Sequence, residues 1–155
     1  LNPPKHTILI CFLIRKTIIG IITISEETNS VSTLKYWKKD HKVNLEKSMK
    51  NNQEISGHFV YGHVDYISEL LKIDQLKNSW YMYFNHPSNN KRKFIVEKGS
   101  IAINGISFTI SKVLETCFSV AVIPHTYNQT NLSSLKINDK VNIEFDMLAR
   151  YIFNK

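Results

Sequence analysis

The fold class of this chain is decided by the segment Ser100-Ile101-Ala102-Ile103-Asn104-Gly105-Ile106-Ser107-Phe108-Thr109-Ile110-Ser111-Lys112-Val113. Its centre, Asn104-Gly105, is the dipeptide that two-residue β-hairpin turns favour, and β-branched and aromatic residues flank it on both sides. Ser107 and Thr109 are two positions apart, so their hydroxyls lie on the same face of a strand. The segment therefore predicts two antiparallel strands that carry a pair of adjacent hydroxyl groups.

Short strands and tight turns continue on both sides of this hairpin. Period-two patterns predict strands over Lys16–Ser25, Lys42–Glu46, Ser56–Leu71 (one long strand or a bent pair), Ser79–Phe84, Phe118–Ile123 and Lys140–Phe145. A turn leading into a short helix is expected over residues 26–34. Short helices are also expected over Lys91–Lys98, with Gly99 at the C′ position, and over Thr130–Leu135. Many short strands with brief helices are typical of a small β-barrel, so we predict an all-β fold.

Composition narrows the class of protein. The chain has 155 residues, enough for one domain or one and a part, and a formal net charge of +7 with few arginines. Scattered lysines among Asn and Ile fit a mildly basic cytoplasmic protein better than a nucleic-acid-binding surface. The two cysteines, Cys11 and Cys117, have no zinc-site spacing and fit a reducing compartment. The apolar run Ile8–Ile14 is too short to span a membrane.

A repeat runs through the sequence at a constant offset of 98 positions. Residues Lys42-Val43-Asn44-Leu45-Glu46 match Lys140-Val141-Asn142-Ile143-Glu144. The same offset pairs Thr28 with Thr126, Leu34 with Leu132 and Lys38 with Lys136. Several matches at one offset indicate an internal duplication. We expect residues 1–53 to be the remnant of a first unit, divergent over 1–15, and residues 54–155 to be a complete second unit.

The segment Gly57–Asp65 contains two Gly-His pairs five positions apart. If it is a strand, His58 and His63 lie on opposite faces, which excludes a two-histidine metal site. This interpretation assigns His63 to a ligand-facing side, with Gly62 allowing close approach of a flat ring, and gives His58 a structural role. Each histidine and each hydroxyl also has an ordinary structural explanation, since serine and threonine on strands commonly form cross-strand hydrogen bonds.

Three motifs resemble the riboflavin synthase family of the alpha-chain type. They are Gly57-His58…Gly62-His63-Val64-Asp65, the hairpin Lys98–Thr109, and Ile123-Pro124-His125-Thr126 followed by Asp139-Lys140-Val141-Asn142-Ile143-Glu144-x-Asp146. The resemblance implies two six-stranded Greek-key lumazine-binding barrels, of which this chain carries one complete copy and a partial one. It also implies a homotrimer, assembled through a C-terminal helix, with active sites between barrels of neighbouring subunits.

The resemblance implies a reaction as well. Two molecules of 6,7-dimethyl-8-ribityllumazine meet in one site, and one donates a four-carbon unit to the other, giving riboflavin and 5-amino-6-(ribitylamino)uracil. The implied reaction uses no metal and no organic cofactor. Catalytic roles are assigned to Ser107, Asp146 and His63, with Ser107 and Asp146 implicated in proton transfer and hydroxyl activation. Substrate binding is assigned to strand ends, the hairpin and neighbouring loops: Thr23, Ile24, Ser25, Glu26, Glu27, Thr28, Gly62, His63, Val64, Lys98, Ser107, Phe108, Thr109, Ala121, Val122, Ile123, Pro124, His125 and Thr126.

Two alternatives stand beside an active enzyme. The family's Met-Phe-Thr-Gly-Ile start and the hairpin of the first copy are not found in this sequence, and the chain ends soon after Phe153. One alternative is a non-catalytic lumazine or flavin binder, and the other is a decayed enzyme. Neither alternative involves nucleic acid or a membrane.

Overall fold

The computed structural model describes residues 7–14, 16–46, 49–52, 54–87 and 89–153. The first described elements are two antiparallel strands, β1 (Thr7–Ile14) and β2 (Lys16–Thr23), which form a sheet of their own. Helix α1 (Glu26–Val31) and a 3₁₀ turn (Thr33–Tyr36) follow. The remaining elements are β3 (Tyr66–Gln75), β4 (Trp80–Asn85), a 3₁₀ turn (Asn89–Phe94), β5 (Ser100–Ile103), β6 (Ile106–Val113), β7 (Cys117–Val122), α2 (Pro124–Gln129), a 3₁₀ turn (Asn131–Ser134), β8 (Lys140–Phe145) and α3 (Met147–Phe153).

Strands β3 to β8 close into a six-stranded antiparallel barrel with the order β3-β4-β7-β6-β5-β8. Strands β5, β6 and β7 form a meander, and β4 returns beside β7, which is a Greek-key arrangement. This confirms the predicted all-β barrel. Closure leaves none of these six strands as an open edge.

Alternating residues of the strands fill the barrel. The hairpin places Ile101, Ile103, Phe108 and Ile110 inside, and each is less than a tenth exposed. Side chains of the other strands complete the core, with the Phe84 and Phe118 rings 5.8 Å apart. Because strand side chains alternate faces, Ala102, Ser107 and Thr109 point to the outer side of the barrel wall, where Ala102 is covered, Ser107 half-buried and Thr109 exposed. The core thus fixes which hairpin residues are available to a ligand.

The Asn104-Gly105 turn is formed as predicted. Both residues have positive φ angles, 49° and 79°, as a type I′ turn requires. Glycine reaches this conformation without the steric cost that a side chain brings. The turn sets the register that places Ala102 directly opposite Ser107.

The prediction of a strand over Ser56–Leu71 is wrong for its first half. Strand β3 begins only at Tyr66, and residues 57–65, here called the Gly-His loop, are irregular. Gly57 and Gly62 have φ angles of +89° and +76°, which interrupt any extended run. The β-branched and aromatic residues between them made the loop resemble a strand. The alternation argument for His58 and His63 therefore does not apply.

Two further local predictions are corrected. Residues Lys42–Glu46 form no strand; Asn44 uses its side-chain amide to donate to the Asn104 carbonyl oxygen instead. The helix expected over Lys91–Lys98 is a 3₁₀ turn that ends at Phe94. Gly99 is not its cap, because the Gly99 N–H closes a separate turn on the Val96 carbonyl oxygen.

The duplicated segments have matching local structure. Helices α1 and α2 start 98 positions apart, at Glu26 and Pro124, and the 3₁₀ turns that follow them keep the same offset. Ser32 and Thr130 cap these turns in the same way, accepting from the N–H two residues later and donating to the carbonyl four residues earlier. The division of the chain into residues 1–53 and 54–155 stays a prediction. The longest helix in the described ranges has seven residues, so none of these helices could cross a bilayer.

Candidate functional site

A row of three outward-facing residues crosses the barrel surface. Ala102 of β5 lies opposite Ser107 of β6 on one side and opposite Glu144 of β8 on the other. Directly paired residues project to the same face of a sheet, so the row places a hydroxyl and a carboxylate on either side of a small residue. The small Ala102 side chain leaves room for chain to pass over the row.

The Gly-His loop passes over this row and is held at both ends. At the first end, His58 Nδ1 lies 2.7 Å from Ser107 Oγ, and the His58 backbone N–H donates to the same oxygen at 3.3 Å. Because Ser107 Oγ accepts this backbone N–H, its own proton can point at Nδ1. His58 Nε2 is buried and has no hydrogen-bond partner in the described part of the chain. The pair can thus hold or move a proton at Ser107 Oγ.

At the other end, the loop is held by Glu144. One carboxylate oxygen accepts the Tyr61 N–H at 2.7 Å, and the other accepts the Gly62 N–H at 2.9 Å. Glu144 is only 6% exposed, so these charge-assisted hydrogen bonds form away from bulk water. They fix the backbone immediately before His63.

Gly57 allows the loop to approach the barrel closely. A Cβ atom at this position would lie 2.6 Å from Ser107 Oγ and 2.9 Å from Ser107 Cβ. Real Cβ atoms do not approach other atoms so closely, so a side chain here would displace Ser107. At Gly62, in contrast, a Cβ would meet nothing within 4 Å, and only its positive φ favours glycine.

An open face lies beside the row. The predicted site residue Thr109 is exposed on β6, on the same face as the half-buried Ser107. Ala121 and Ile123 are exposed on and just after β7, the strand that pairs with β6. Phe108 and Val122 point into the core instead, so their side chains do not lie on this face. The open face combines a hydroxyl, a small residue and an apolar side chain, a combination suited to a flat heterocycle.

Lys98 borders this face in an unusual backbone conformation. Its φ angle is +66°, which is uncommon for a residue with a side chain, and the side chain is exposed. The Lys98 N–H donates to the Ile110 carbonyl oxygen, and the Ile110 N–H donates to the Gly99 carbonyl oxygen. These two bonds hold the strained residue beside β6.

Helix α2 places Pro124, His125 and Thr126 at the end of β7. Pro124 begins the helix, where its missing N–H costs nothing. A ring stack between Trp80 and Tyr127, with centroids 4.0 Å apart and planes 8° apart, fixes the helix to β4. His125 is exposed at this end of the barrel.

His63 and Val64 lie in the Gly-His loop rather than on a strand. The exposed His63 ring stacks on the exposed Tyr61 ring with centroids 5.9 Å apart. The structure thus brings His58, not His63, to Ser107. The ligand-binding and catalytic roles assigned to His63 stay predictions.

Asp146 occupies a different place from Ser107. Its carboxylate accepts the Leu148 N–H at 3.0 Å and so caps α3. It also borders a largely apolar groove between α3 and the segment before β5. Its assigned role in proton transfer stays a prediction.

A partly buried ion pair ties α3 to the end of the Gly-His loop. Asp65 Oδ2 lies 2.6 Å from Arg150 Nη2 and accepts the Phe145 N–H at 2.8 Å. Burial raises the pKa of the Asp65 carboxyl, since the loss of solvent outweighs the opposing effects of the Phe145 N–H and of Arg150. The Asp65 carboxylate therefore joins the Gly-His loop to both β8 and α3.

The residues assigned to the first copy lie at the end of β2 and the start of α1. Ser25 caps α1: its hydroxyl accepts the Thr28 N–H at 3.0 Å and lies 2.8 Å from the Thr28 hydroxyl. All but one of this set are exposed: Thr23, Ile24, Ser25, Glu26, Glu27 and Thr28, with Ile24 half-buried. Their role in binding stays a prediction.

Sequence reasoning missed two contributors, His58 and Glu144. Glu144 belongs to the repeated Lys-Val-Asn-x-Glu motif, and its counterpart Glu46 lies 98 positions earlier. The register of the hairpin, read from the Asn104-Gly105 turn, predicts that Ser107 lies opposite Ala102. That the Gly-His loop crosses over these residues cannot be predicted from local sequence, because it depends on tertiary contacts. Within the described ranges, no group of three or more His, Cys, Asp or Glu side chains is arranged to hold a metal ion.

Comparison with known proteins identifies the family. The model of the lumazine binding domain matches residues 61–146, more than half of the chain. The chain is 36% identical over 132 residues to a riboflavin synthase of Photobacterium phosphoreum, covering 85% of this chain and 60% of that protein. It is 38% identical over 132 residues to a riboflavin synthase of Bacillus subtilis, covering 85% of this chain and 61% of the relative. The chain spans about three-fifths of the length of these relatives.

Two solved structures of LumP support the same fold. LumP complexed with 6,7-dimethyl-8-(1'-D-ribityl) lumazine superimposes with a TM-score of 0.71 at 20% identity, covering 88% of this chain and 72% of that one. LumP complexed with riboflavin gives a TM-score of 0.72 at 18% identity, covering 93% of this chain and 80% of that one. The residues that the lumazine binding domain model matches include the hairpin, the row Ser107–Ala102–Glu144 and residues 61–65 of the Gly-His loop. The chain therefore belongs to the lumazine binding domain family.

Proposed function

We propose that the outer barrel face around Ser107 binds 6,7-dimethyl-8-ribityllumazine and takes part in its dismutation to riboflavin. The observation that carries the proposal is the Ser107 hydroxyl, held 2.7 Å from His58 Nδ1 at the edge of the open face. The similarity to riboflavin synthases over most of this chain supports the choice of substrate and reaction.

The proposed dismutation requires the protein to orient two substrate rings and to move protons. One lumazine gives up a four-carbon unit and becomes 5-amino-6-(ribitylamino)uracil, and the other gains it and becomes riboflavin, so no external oxidant or reductant is needed. The C7 methyl group of the substrate is itself acidic. The chain must orient the rings and move protons, and orientation alone can supply a large part of the rate gain.

The described residues can supply both tasks. Thr109 and the exposed end of β7 offer polar and apolar contacts to one ring. Ser107, polarised by His58, can accept or return a proton at its Oγ. Lys98 can place a positive charge beside the same ring. We assign the second ring to a facing barrel, because this face is open to solvent on its outer side.

A second candidate function is lumazine or flavin binding without turnover. It is supported by solved structures of a protein with a similar fold. LumP, with a similar fold, has been solved in complex with the lumazine and with riboflavin. Both functions use the same face and differ in whether two rings meet.

One experiment separates the two functions. Purified chain is titrated with 6,7-dimethyl-8-ribityllumazine while lumazine fluorescence reports binding, and riboflavin absorbance then reports turnover. Ser107→Ala should abolish or strongly reduce turnover, whereas Ser133→Ala, which removes an exposed hydroxyl far along the chain, should change neither signal. Binding without riboflavin at high protein concentration would support the binder. The absence of any binding would reject both functions.

A further inference from the structure

We infer that Glu144 is a positioning residue for the proposed site, because it fixes the Gly-His loop over the Ser107–Ala102–Glu144 row. This inference rests on the proposed function. Each carboxylate oxygen of Glu144 accepts one of two consecutive backbone N–H groups, from Tyr61 and Gly62. A carboxylate offers one acceptor oxygen to each of the two donors.

The position of Glu144 makes it the second of two clamps on the loop. The first clamp joins His58 to Ser107, and the two clamps sit on either side of Ala102. Between them the chain spans two residues, Phe59 and Val60, and both side chains are exposed. Exposed side chains bury little apolar surface, so the hydrogen bonds at the two ends carry most of the attachment.

The clamp connects β8 to both histidines of the loop. It holds Gly62 in its positive-φ conformation, directly before His63. It also limits how far His58 can move away from Ser107, because only two residues separate His58 from the clamped Tyr61. Loss of the clamp should therefore disturb the ligand face without a change in any exposed residue of that face.

The repeat provides a matched control. Glu46 occupies the same position of the Lys-Val-Asn-x-Glu motif, 98 residues earlier, and it is exposed. Glu144→Gln keeps the volume but replaces one acceptor by an NH₂ group, which cannot accept an N–H. Glu46→Gln makes the same chemical change away from the loop.

The test measures the loop and the ligand separately. In the ligand-free chain, hydrogen exchange at the Tyr61 and Gly62 amides should accelerate in Glu144→Gln and stay unchanged in Glu46→Gln. Lumazine affinity, followed by fluorescence, should fall about tenfold in Glu144→Gln, the effect expected for one charge-assisted hydrogen bond. Gly62→Ala, which strains the clamped residue but meets no neighbour, should weaken binding in the same direction.

Two results would overturn the inference while the proposed function stands. In the first, Glu144→Gln frees both amides and binds lumazine as tightly as the wild type. In the second, binding weakens while both amides stay protected, which would mean that Glu144 acts elsewhere. A wild-type chain that binds no lumazine would instead overturn the proposed function and the inference with it.

Discussion

Asn44 and Asn142 hold equivalent positions of the repeat, and each accepts a hydrogen bond from the other copy. The Asn131 N–H donates to Asn44 Oδ1 at 2.8 Å, and the Thr33 N–H donates to Asn142 Oδ1 at 2.7 Å. Asn131 and Thr33 are themselves 98 positions apart, and each begins a 3₁₀ turn. This reciprocal exchange attaches residues 33–44 to the barrel in a two-fold-like manner.

Asn142→Ala should lower the free energy of unfolding by about 1–3 kcal/mol, the cost of a buried donor without a partner. The donor is the N–H of Thr33, which is only 5% exposed. Urea denaturation measures the change, and hydrogen exchange at Thr33 should accelerate with it. Asn78→Ala, at an exposed turn, serves as the control and should change stability little. Equal stability of Asn142→Ala and the control would show that the exchange contributes nothing.

Arg150→Met should destabilise the protein more at neutral pH than near pH 4. The folded state holds the Asp65 proton more tightly than the unfolded chain, because burial raises this pKa. The carboxyl therefore reduces stability as the pH rises above its ordinary pKa. Arg150 lowers the pKa of Asp65, so removing Arg150 raises the pKa of Asp65 further above its value in the unfolded chain. The ionised Asp65 carboxylate then reduces the free energy of unfolding at neutral pH by a larger amount.

Thermal melting of the Arg150→Met variant between about pH 4 and pH 7 tests this expectation. At the acidic end a larger fraction of Asp65 is protonated in both proteins, so their melting temperatures should differ less than at neutral pH. Arg92→Met removes an exposed arginine that donates to the Leu114 carbonyl oxygen, and its effect should not vary with pH in this way. A constant difference for Arg150→Met across the range would contradict the assignment.

His58→Ala should reduce riboflavin formation by about a hundredfold, the lower end of the range for a lost proton-transfer group. The physical reason is the 2.7 Å contact between His58 Nδ1 and Ser107 Oγ, which the variant removes. Turnover is followed by absorbance, and binding by fluorescence, so that the two effects are separated. His41→Ala removes an exposed histidine that stacks on Trp37 and should leave turnover unchanged. A His58→Ala variant with wild-type turnover would return His58 to a purely structural role.

The barrel could be predicted from sequence because its signals are local. The Asn104-Gly105 turn needs two positive φ angles, and only a few residue types adopt them readily. The Gly-His loop could not be predicted in this way, because its composition is that of a strand while its glycines set a different path. Glu144 escaped notice because its importance comes from a loop about eighty positions away that crosses its face of the sheet. Local pattern thus predicted the barrel, and tertiary contacts decided the site.

Gly57→Ala should disturb the site more than Gly62→Ala, although both glycines have positive φ angles. Both variants carry backbone strain of about 1 kcal/mol, but only the Gly57 Cβ would collide with Ser107. Lumazine affinity and the melting temperature should therefore fall further in Gly57→Ala. In a Ser107→Gly background, which removes both colliding atoms, the extra loss of stability should disappear. If Gly57→Ala is less stable than Gly62→Ala by the same amount in both backgrounds, the close approach of the loop to Ser107 does not cause the extra loss of stability.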